Sequence, residues 1–181
     1  MDYSKFYFQY INIPYDQSDI DNLLSKYPLT PSKFEAMDVN ELKQLMPSIF
    51  SWFENNGLEI DSAFLINHKP GFKQDIHSDY SDRFNPGLAI NIPLNPEAAQ
   101  ATTRVYDIID GQDSYLSHRP ENQVVYSKFD PNQVKLITEY KSISPVILNI
   151  SKPHSAWNNT DSLRGLITFR FKKDPTHLIK E

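Results

Sequence analysis

His77 and Asp79, two positions apart in the run His77-Ser78-Asp79, are joined far downstream by a second histidine, His154, and an arginine ten positions after it, Arg164. Two imidazoles and one carboxylate form the donor set that holds iron(II) on one side and leaves the opposite positions free for a chelating co-substrate and oxygen. On an extended chain residues two apart point the same way, so His77 and Asp79 can converge on one ion while Ser78 points off. His154 must then come from another strand that faces the same cavity. A guanidinium presents a fork of donors that matches a carboxylate, so a buried Arg164 near the ion suits the far carboxylate of a dicarboxylate.

Spacing alone is weak ground. With five histidines and fifteen aspartates in the chain, a chance His-x-Asp is expected about 0.4 times. Context raises it: the pair ends an extended stretch, a polar segment follows, and Leu88-Ala89-Ile90-Asn91-Ile92-Pro93-Leu94 then alternates as a strand does. The bland alternative is a surface loop in which Asp79 bonds only backbone and His77 is exposed. On the run from Leu163 to Phe171, period two puts Leu163, Ile167, Phe169 and Phe171 on one face and Arg164, Leu166, Thr168 and Arg170 on the other. Arg164 on so apolar a strand needs an anionic partner; the bland alternative, an arginine paired with a local acid at the sheet surface, is the weaker one for Arg164 and the expected one for Arg170.

The elements that must position these residues change character once along the chain. From Ser18 to about Asn56 the pattern is helical: Ile20, Leu23 and Leu24 recur at helical spacing, and Asp38 with Glu41 suggests a capping box before Leu42, Leu45, Met46, Phe50 and Phe53. Two helices divided by Pro28 and Pro31 are expected. After Gly57, short runs rich in β-branched and aromatic residues alternate with Pro, Gly, Asn and Asp. Candidate strands are Leu58 to Ile66, Lys73 to His77, Gly87 to Leu94, Thr102 to Ile108, Val134 to Tyr140, Val146 to Ile150, His154 to Asn158 and Leu163 to Lys172. Strands without intervening helices predict a mainly β fold, a double-stranded β-helix or cupin-like jelly roll, with the N-terminal helices covering one outer face. The chain is expected to be a single domain over residues 1–181, with a largely helical buttress (1–56), a jelly-roll core (57–173) and a tail (174–181). Tyr80 to Pro86 and Ile109 to Asn122 read as long loops, and the aromatic segment Tyr3, Phe6, Phe8 and Tyr10 as an added strand or an interface.

Composition excludes several classes. A formal net charge of -5 argues against a duplex nucleic-acid binder, which neutralises phosphates with a basic surface. The absence of cysteine rules out disulfides, zinc-thiolate sites and a cysteine nucleophile. No apolar run reaches membrane-spanning length and the first residues are polar and aromatic, so a soluble cytoplasmic protein is expected, with no membrane partner and with oligomeric state unreadable. Neither a Gly-x-Ser-x-Gly elbow nor a phosphate-cradling glycine loop occurs. His68, His118 and His177 lack a partner at ligand spacing and read as surface residues, while Trp157 is expected beside the site or in the core. Ser78, Tyr80 and Arg83 are near enough in sequence to line the site's mouth, but a solvated loop is the expected role.

Taken together, His77-x-Asp79, His154 and Arg164 resemble the iron(II) and 2-oxoglutarate-dependent oxygenases. The run His154-Ser155-Ala156-Trp157-Asn158-Asn159-Thr160-Asp161-Ser162-Leu163-Arg164 is similar to the distal motif of their prolyl hydroxylase and aspartyl/asparaginyl β-hydroxylase branches. The resemblance implies that His77, Asp79 and His154 bind iron(II), that Arg164 binds the far carboxylate of 2-oxoglutarate, and that molecular oxygen is consumed in hydroxylating a small molecule or an amino-acid residue of a peptide or protein. Many members carry serine or threonine two positions after the arginine, where this chain has Leu166, so another polar side chain must complete the carboxylate site; Asn91, Thr103 and Tyr126 are the candidates. The β-hydroxylases also lack the metal-binding acid that Asp79 supplies here. Two other classes compete: a cupin-like metal enzyme that does not use 2-oxoglutarate, and a non-catalytic jelly-roll binding domain.

Overall fold

Twelve strands and three α-helices occur in the computed structural model, which describes residues 5–31, 33–79, 87–111, 115–119, 124–173 and 175–180. In chain order they are β1 (Phe8–Tyr10), α1 (Gln17–Lys26), β2 (Lys33–Met37), α2 (Val39–Leu45), α3 (Pro47–Asn55), β3 (Ile60–His68), β4 (His77–Asp79), β5 (Leu88–Pro93), β6 (Thr102–Ile108), β7 (Tyr115–Arg119), β8 (Val124–Lys128), β9 (Val134–Lys141), β10 (Val146–Asn149), β11 (His154–Trp157) and β12 (Arg164–Phe171). One six-stranded sheet runs β1-β10-β5-β12-β3-β2 and the other β7-β8-β4-β11-β6-β9. Every pairing is antiparallel. From β3 to β6 and again from β9 to β12, successive strands alternate between the two sheets, which winds the chain into the expected jelly roll.

The helices form because their apolar residues recur on one stripe, and that stripe has a sheet to cover. Ile20 and Leu23 of α1, Leu42 of α2, and Ile49, Phe50 and Phe53 of α3 join Leu65, Ile90, Ile92, Ile147, Ile167 and Phe169 in one buried cluster on the outer face of the first sheet. Full burial of each large side chain there contributes about 1.5–3 kcal/mol. Asp38 caps α2 as expected, accepting from the Asn40 and Glu41 backbone N–H groups at 2.8 and 3.1 Å. The box is not closed, because the Glu41 carboxylate is turned to Lys26 and Tyr27 instead.

Three helices replace the expected two. Pro47 has no N–H and is accommodated only at a helix start, so the periodic run from Leu42 to Phe53 is cut into α2 and α3. Between α1 and α2 the chain also adds β2 to the edge of β3. Within the aromatic N-terminal segment, Phe8 to Tyr10 form an added strand, β1, on β10. The span Lys73 to His77 is not a regular strand: Lys73 bridges Trp157 and only His77 begins β4. Its hydrogen bonds change neighbours on the way, since Gln74 N–H donates to Ala156 while Ile76 accepts from Phe129. The loop expected from Ile109 to Asn122 contains β7, and the one expected at Tyr80 to Pro86 lies outside the described residues.

Period two holds along β12. Ile167, Phe169 and Phe171 pack with the helices, which leaves Arg164, Leu166, Thr168 and Arg170 facing the second sheet. A smaller cluster of Ala89, Val105, Tyr140, Val146, Leu148 and Ile150 fills part of the space between the sheets. The polar residues of β12 look into what remains.

Candidate metal centre

Two strands of the second sheet carry the cluster. His154 on β11 is paired in register with His77 on β4, so both imidazoles stand side by side on one face, their ring centroids 4.5 Å apart. Asp79, two residues along β4, shares that face, and its Oδ1 is 3.5 Å from Nε2 of His77. One ligand atom from each of His77, Asp79 and His154 lies within 4.8 Å of the others. His77 and His154 are 5% and 7% exposed.

The two rings are held alike. Nδ1 of His77 is 2.9 Å from the carbonyl of Asp75, and Nδ1 of His154 is 2.9 Å from the carbonyl of Lys152. A carbonyl only accepts, so each Nδ1 carries the proton and each Nε2 keeps its lone pair, the tautomer a metal requires. Burial holds the His154 imidazole below its ordinary pKa, with Asp79 pulling the other way, which favours the neutral ring. Gln74 Nε2 stands 3.4 Å from His77 Nε2. This donor set fits a divalent cation of the iron(II) kind.

Arg164 opens β12 and reaches across the interior to the second sheet. Its Nη2 donates to Thr103 Oγ1 at 3.2 Å and to Ser142 Oγ at 3.3 Å, and its Nη1 lies 3.0 Å from His68 Nδ1. The side chain is 2% exposed, its Nε has no hydrogen-bond partner, and no carboxylate among the described residues pairs with it. Burial draws the guanidinium down to about 10, which leaves it charged at neutral pH. A buried charge held only by neutral groups, with one donor unsatisfied, fits an anionic ligand better than it fits a closed core.

Of the three residues expected to complete the carboxylate site, Thr103 touches Arg164 directly. Asn91 stands with Thr103 beside the buried Tyr140 hydroxyl, where the two work against the rise in its pKa that burial causes. Tyr126 stands edge-on to His77 with ring centroids 5.7 Å apart. It borders a pocket of roughly 170 Å³ beside His77, whose walls include Phe72, Lys73, Gln74 and Lys128.

Several expectations are corrected here. His68 is no surface residue: it is 7% exposed, stacked on Phe72 and in contact with Arg164, because β3 pairs it directly opposite Arg164. Arg170 is not at the sheet surface with a local acid; it is buried and its Nη2 donates to Asp79 Oδ2 at 2.5 Å from the opposite sheet. Trp157 is neither beside the cluster nor in the core. It faces outward, 36% exposed, with the Arg104 guanidinium 5.4 Å over its ring. Ser78 is buried rather than in a solvated loop, His177 is exposed as expected, and the side chain of His118, like Tyr80 and Arg83, lies outside the described residues.

Tyr140, Ser142 and Asn158 were missed from sequence. Asn158 carried the clearest signal, an amide residue inside the His154-to-Arg164 run. Fully buried, its Nδ2 donates to the carbonyls of His68, Lys69 and Ser162 at 3.1, 3.1 and 2.8 Å, closing the turn that delivers Arg164 to the interior.

No family model and no curated sequence matches the chain. Solved structures do share its fold. EvdO2 from Micromonospora carbonacea var. aurantiaca, complexed with 2-oxoglutarate, is 16% identical with a TM-score of 0.58, over 94% of this chain and 87% of that one. The non-heme alpha ketoglutarate dependent carbocyclase SnoK from nogalamycin biosynthesis is 13% identical with a TM-score of 0.56, over 93% and 80%. The epimerase SnoN, in complex with Fe3+, alpha ketoglutarate and nogalamycin RO, is 13% identical with a TM-score of 0.57, over 93% and 80%. At such identities the likeness is one of fold. The chain has the double-stranded β-helix that these iron and 2-oxoglutarate enzymes also have.

Proposed function

We propose that this chain is an iron(II) and 2-oxoglutarate-dependent dioxygenase that hydroxylates a small molecule or an amino-acid residue of a peptide or protein. The observation that carries the reading is the pairing of two sites in one interior: a cluster of two Nε2 lone pairs and a carboxylate, and a buried guanidinium with no acidic partner among the described residues. Thr103, which Arg164 touches, is two residues along β6 from Val105, the residue in register with His154. That separation is about 7 Å along the strand, a step a short dicarboxylate bridges.

His77, Asp79 and His154 would hold the iron, and Arg164 with Thr103 the far carboxylate of 2-oxoglutarate. Bound together, iron and 2-oxoglutarate supply the oxidising power for attack on an unactivated C–H bond with dioxygen. The protein's own share is positional. The two backbone carbonyls fix the imidazole tautomers, Arg164 and the Tyr140, Thr103 and Asn91 hydroxyl and amide groups fix one end of the co-substrate, and the apolar fill between the sheets keeps water out. The pocket beside His77, with Phe72 and Tyr126 in its walls, is the place for the substrate.

The test is anaerobic addition of iron(II) and 2-oxoglutarate while watching for the weak visible charge-transfer band of the chelate. The band is expected with the wild type and lost in Asp79→Ala and His154→Ala. Its absence from the wild type overturns the assignment. A cupin-like enzyme without 2-oxoglutarate has no use for a buried Arg164 with which no acid among the described residues pairs.

A further inference from the structure

Arg170 stands beside the histidine and carboxylate cluster without a part in the reading above. Its side chain is 9% exposed. Nη2 donates to Asp79 Oδ2 at 2.5 Å, and Nη1 donates to Thr168 Oγ1 at 2.6 Å. Arginine and aspartate belong to different sheets, β12 to the first and β4 to the second. The other oxygen of Asp79, Oδ1, is the one 3.5 Å from His77 Nε2. The two carboxylate oxygens are therefore in different surroundings: one is tied to the facing sheet and the other is turned towards the histidines.

A carboxylate on a short strand can swing about its side-chain bonds and can bind a cation through one oxygen or both. Thr168 steadies the guanidinium, and the guanidinium steadies Oδ2. We propose that Arg170 is a positioning residue that anchors Oδ2 of Asp79 across the interior and so presents Oδ1 alone to the metal as a one-point ligand. This rests on the metal reading of the cluster. One-point ligation uses one coordination position where two-point chelation uses two, and so spares a position for the co-substrate or oxygen.

The proposal has a sign that a bystander charge does not share. A positive group one hydrogen bond from a ligand repels a cation, so by Coulomb repulsion alone its removal tightens metal binding. Loss of a group that orients the ligand loosens it, about 10-fold to 100-fold for partners of this kind.

The experiment titrates Mn(II), without 2-oxoglutarate, into the metal-free full chain and its Arg170→Met and Arg170→Lys variants, each checked for folding by thermal melting. Arg170→Met is expected to bind at least about 10-fold more weakly, and Arg170→Lys, which keeps one charged donor, to recover part of the loss. Arg170→Met binding as tightly as the wild type, or more tightly, overturns the proposal. A second measurement needs no folded Arg170 variant: the infrared difference between Mn(II)-loaded and metal-free wild type, with the Asp79 bands identified by their loss in Asp79→Asn. Widely separated carboxylate stretches, the signature of one-point ligation, are expected. A narrow separation, the signature of two-point chelation, overturns it. A wild type that binds no Mn(II) overturns the metal reading itself, whereas binding that is indifferent to Arg170 overturns only the role given to that residue.

Discussion

Arg164 and His68 face each other across the β3–β12 pairing with Nη1 and Nδ1 3.0 Å apart. A guanidinium only donates, so His68 must accept through Nδ1 and carry its proton on Nε2. The most buried cation of the interior is thus held by a neutral imidazole and two hydroxyls, with no acid of the described residues opposite it.

Arg164→Met separates the two consequences of that arrangement. A charge-assisted hydrogen bond contributes about 1.5–3 kcal/mol, so 2-oxoglutarate binding to the metal-loaded protein is expected to weaken by roughly 10-fold to 100-fold while metal affinity stays within about 2-fold. The metal-free protein is expected to keep or gain stability, because a desolvated charge with one unsatisfied nitrogen costs more than an apolar side chain of similar volume. Calorimetric titration and thermal melting check both. A marked fall in melting temperature would mean that Arg164 is a structural ion and not a waiting ligand.

Asp79 and Arg170 predict a coupled pair. Asp79→Ala strands a buried guanidinium, which costs about 3–5 kcal/mol when the partner is fully buried. The figure is expected at the lower end, because the Asp79 side chain keeps 22% exposure. Adding Arg170→Met to Asp79→Ala removes the stranded charge and is expected to restore more than half of the loss. Denaturant melts of the four proteins in the cycle measure it, and simple additivity of the two substitutions would deny the coupling.

What could be read from the residues was local, and what could not was across the sheets. Alternation on β12 separates Ile167, Phe169 and Phe171 from Arg164, Thr168 and Arg170 without any structure, because a strand's period is two. The partner of Arg170 could not be found that way, since Asp79 is 91 residues distant and meets it only when the sheets close. His68 has no companion at ligand spacing for the same reason; its companion comes from β12. The short edge strands β1 and β2 bury too few residues in alternation to announce themselves, whereas Pro47 was a visible break that the continuous apolar spacing of α2 and α3 masked.

Asn158 predicts a severe effect from a small change. Its Nδ2 donates to three backbone carbonyls, and its Oδ1 accepts from the Thr160 hydroxyl at 2.8 Å. Asn158→Asp keeps the shape but sets a carboxylate against three carbonyl oxygens in a fully buried place. A loss of about 3 kcal/mol or more is expected. Because this turn delivers Arg164, any folded fraction is expected to bind 2-oxoglutarate more weakly than it binds metal, and titration of both ligands on that fraction decides the point.

Acid sensitivity follows from His154. Burial holds its folded pKa below the ordinary 6.5 despite the pull of Asp79, so the metal-free fold prefers the neutral ring. The stability that depends on this preference is complete above about pH 6.5, where the unfolded chain is also neutral at this residue, and is lost as the pH falls towards and through the folded value. One such group gives at most about 1.4 kcal/mol per pH unit. Melting curves of metal-free protein at about pH 7.5, 6 and 5 are expected to show a steeper fall for the wild type than for His154→Gln, which has no proton to take up there. Metal-loaded protein should lose its ion over the same acid range, since proton and cation compete for Nε2. Equal acid slopes in the two proteins would mean that the ring takes up its proton as readily in the fold as in the unfolded chain, so that burial does not hold its pKa down.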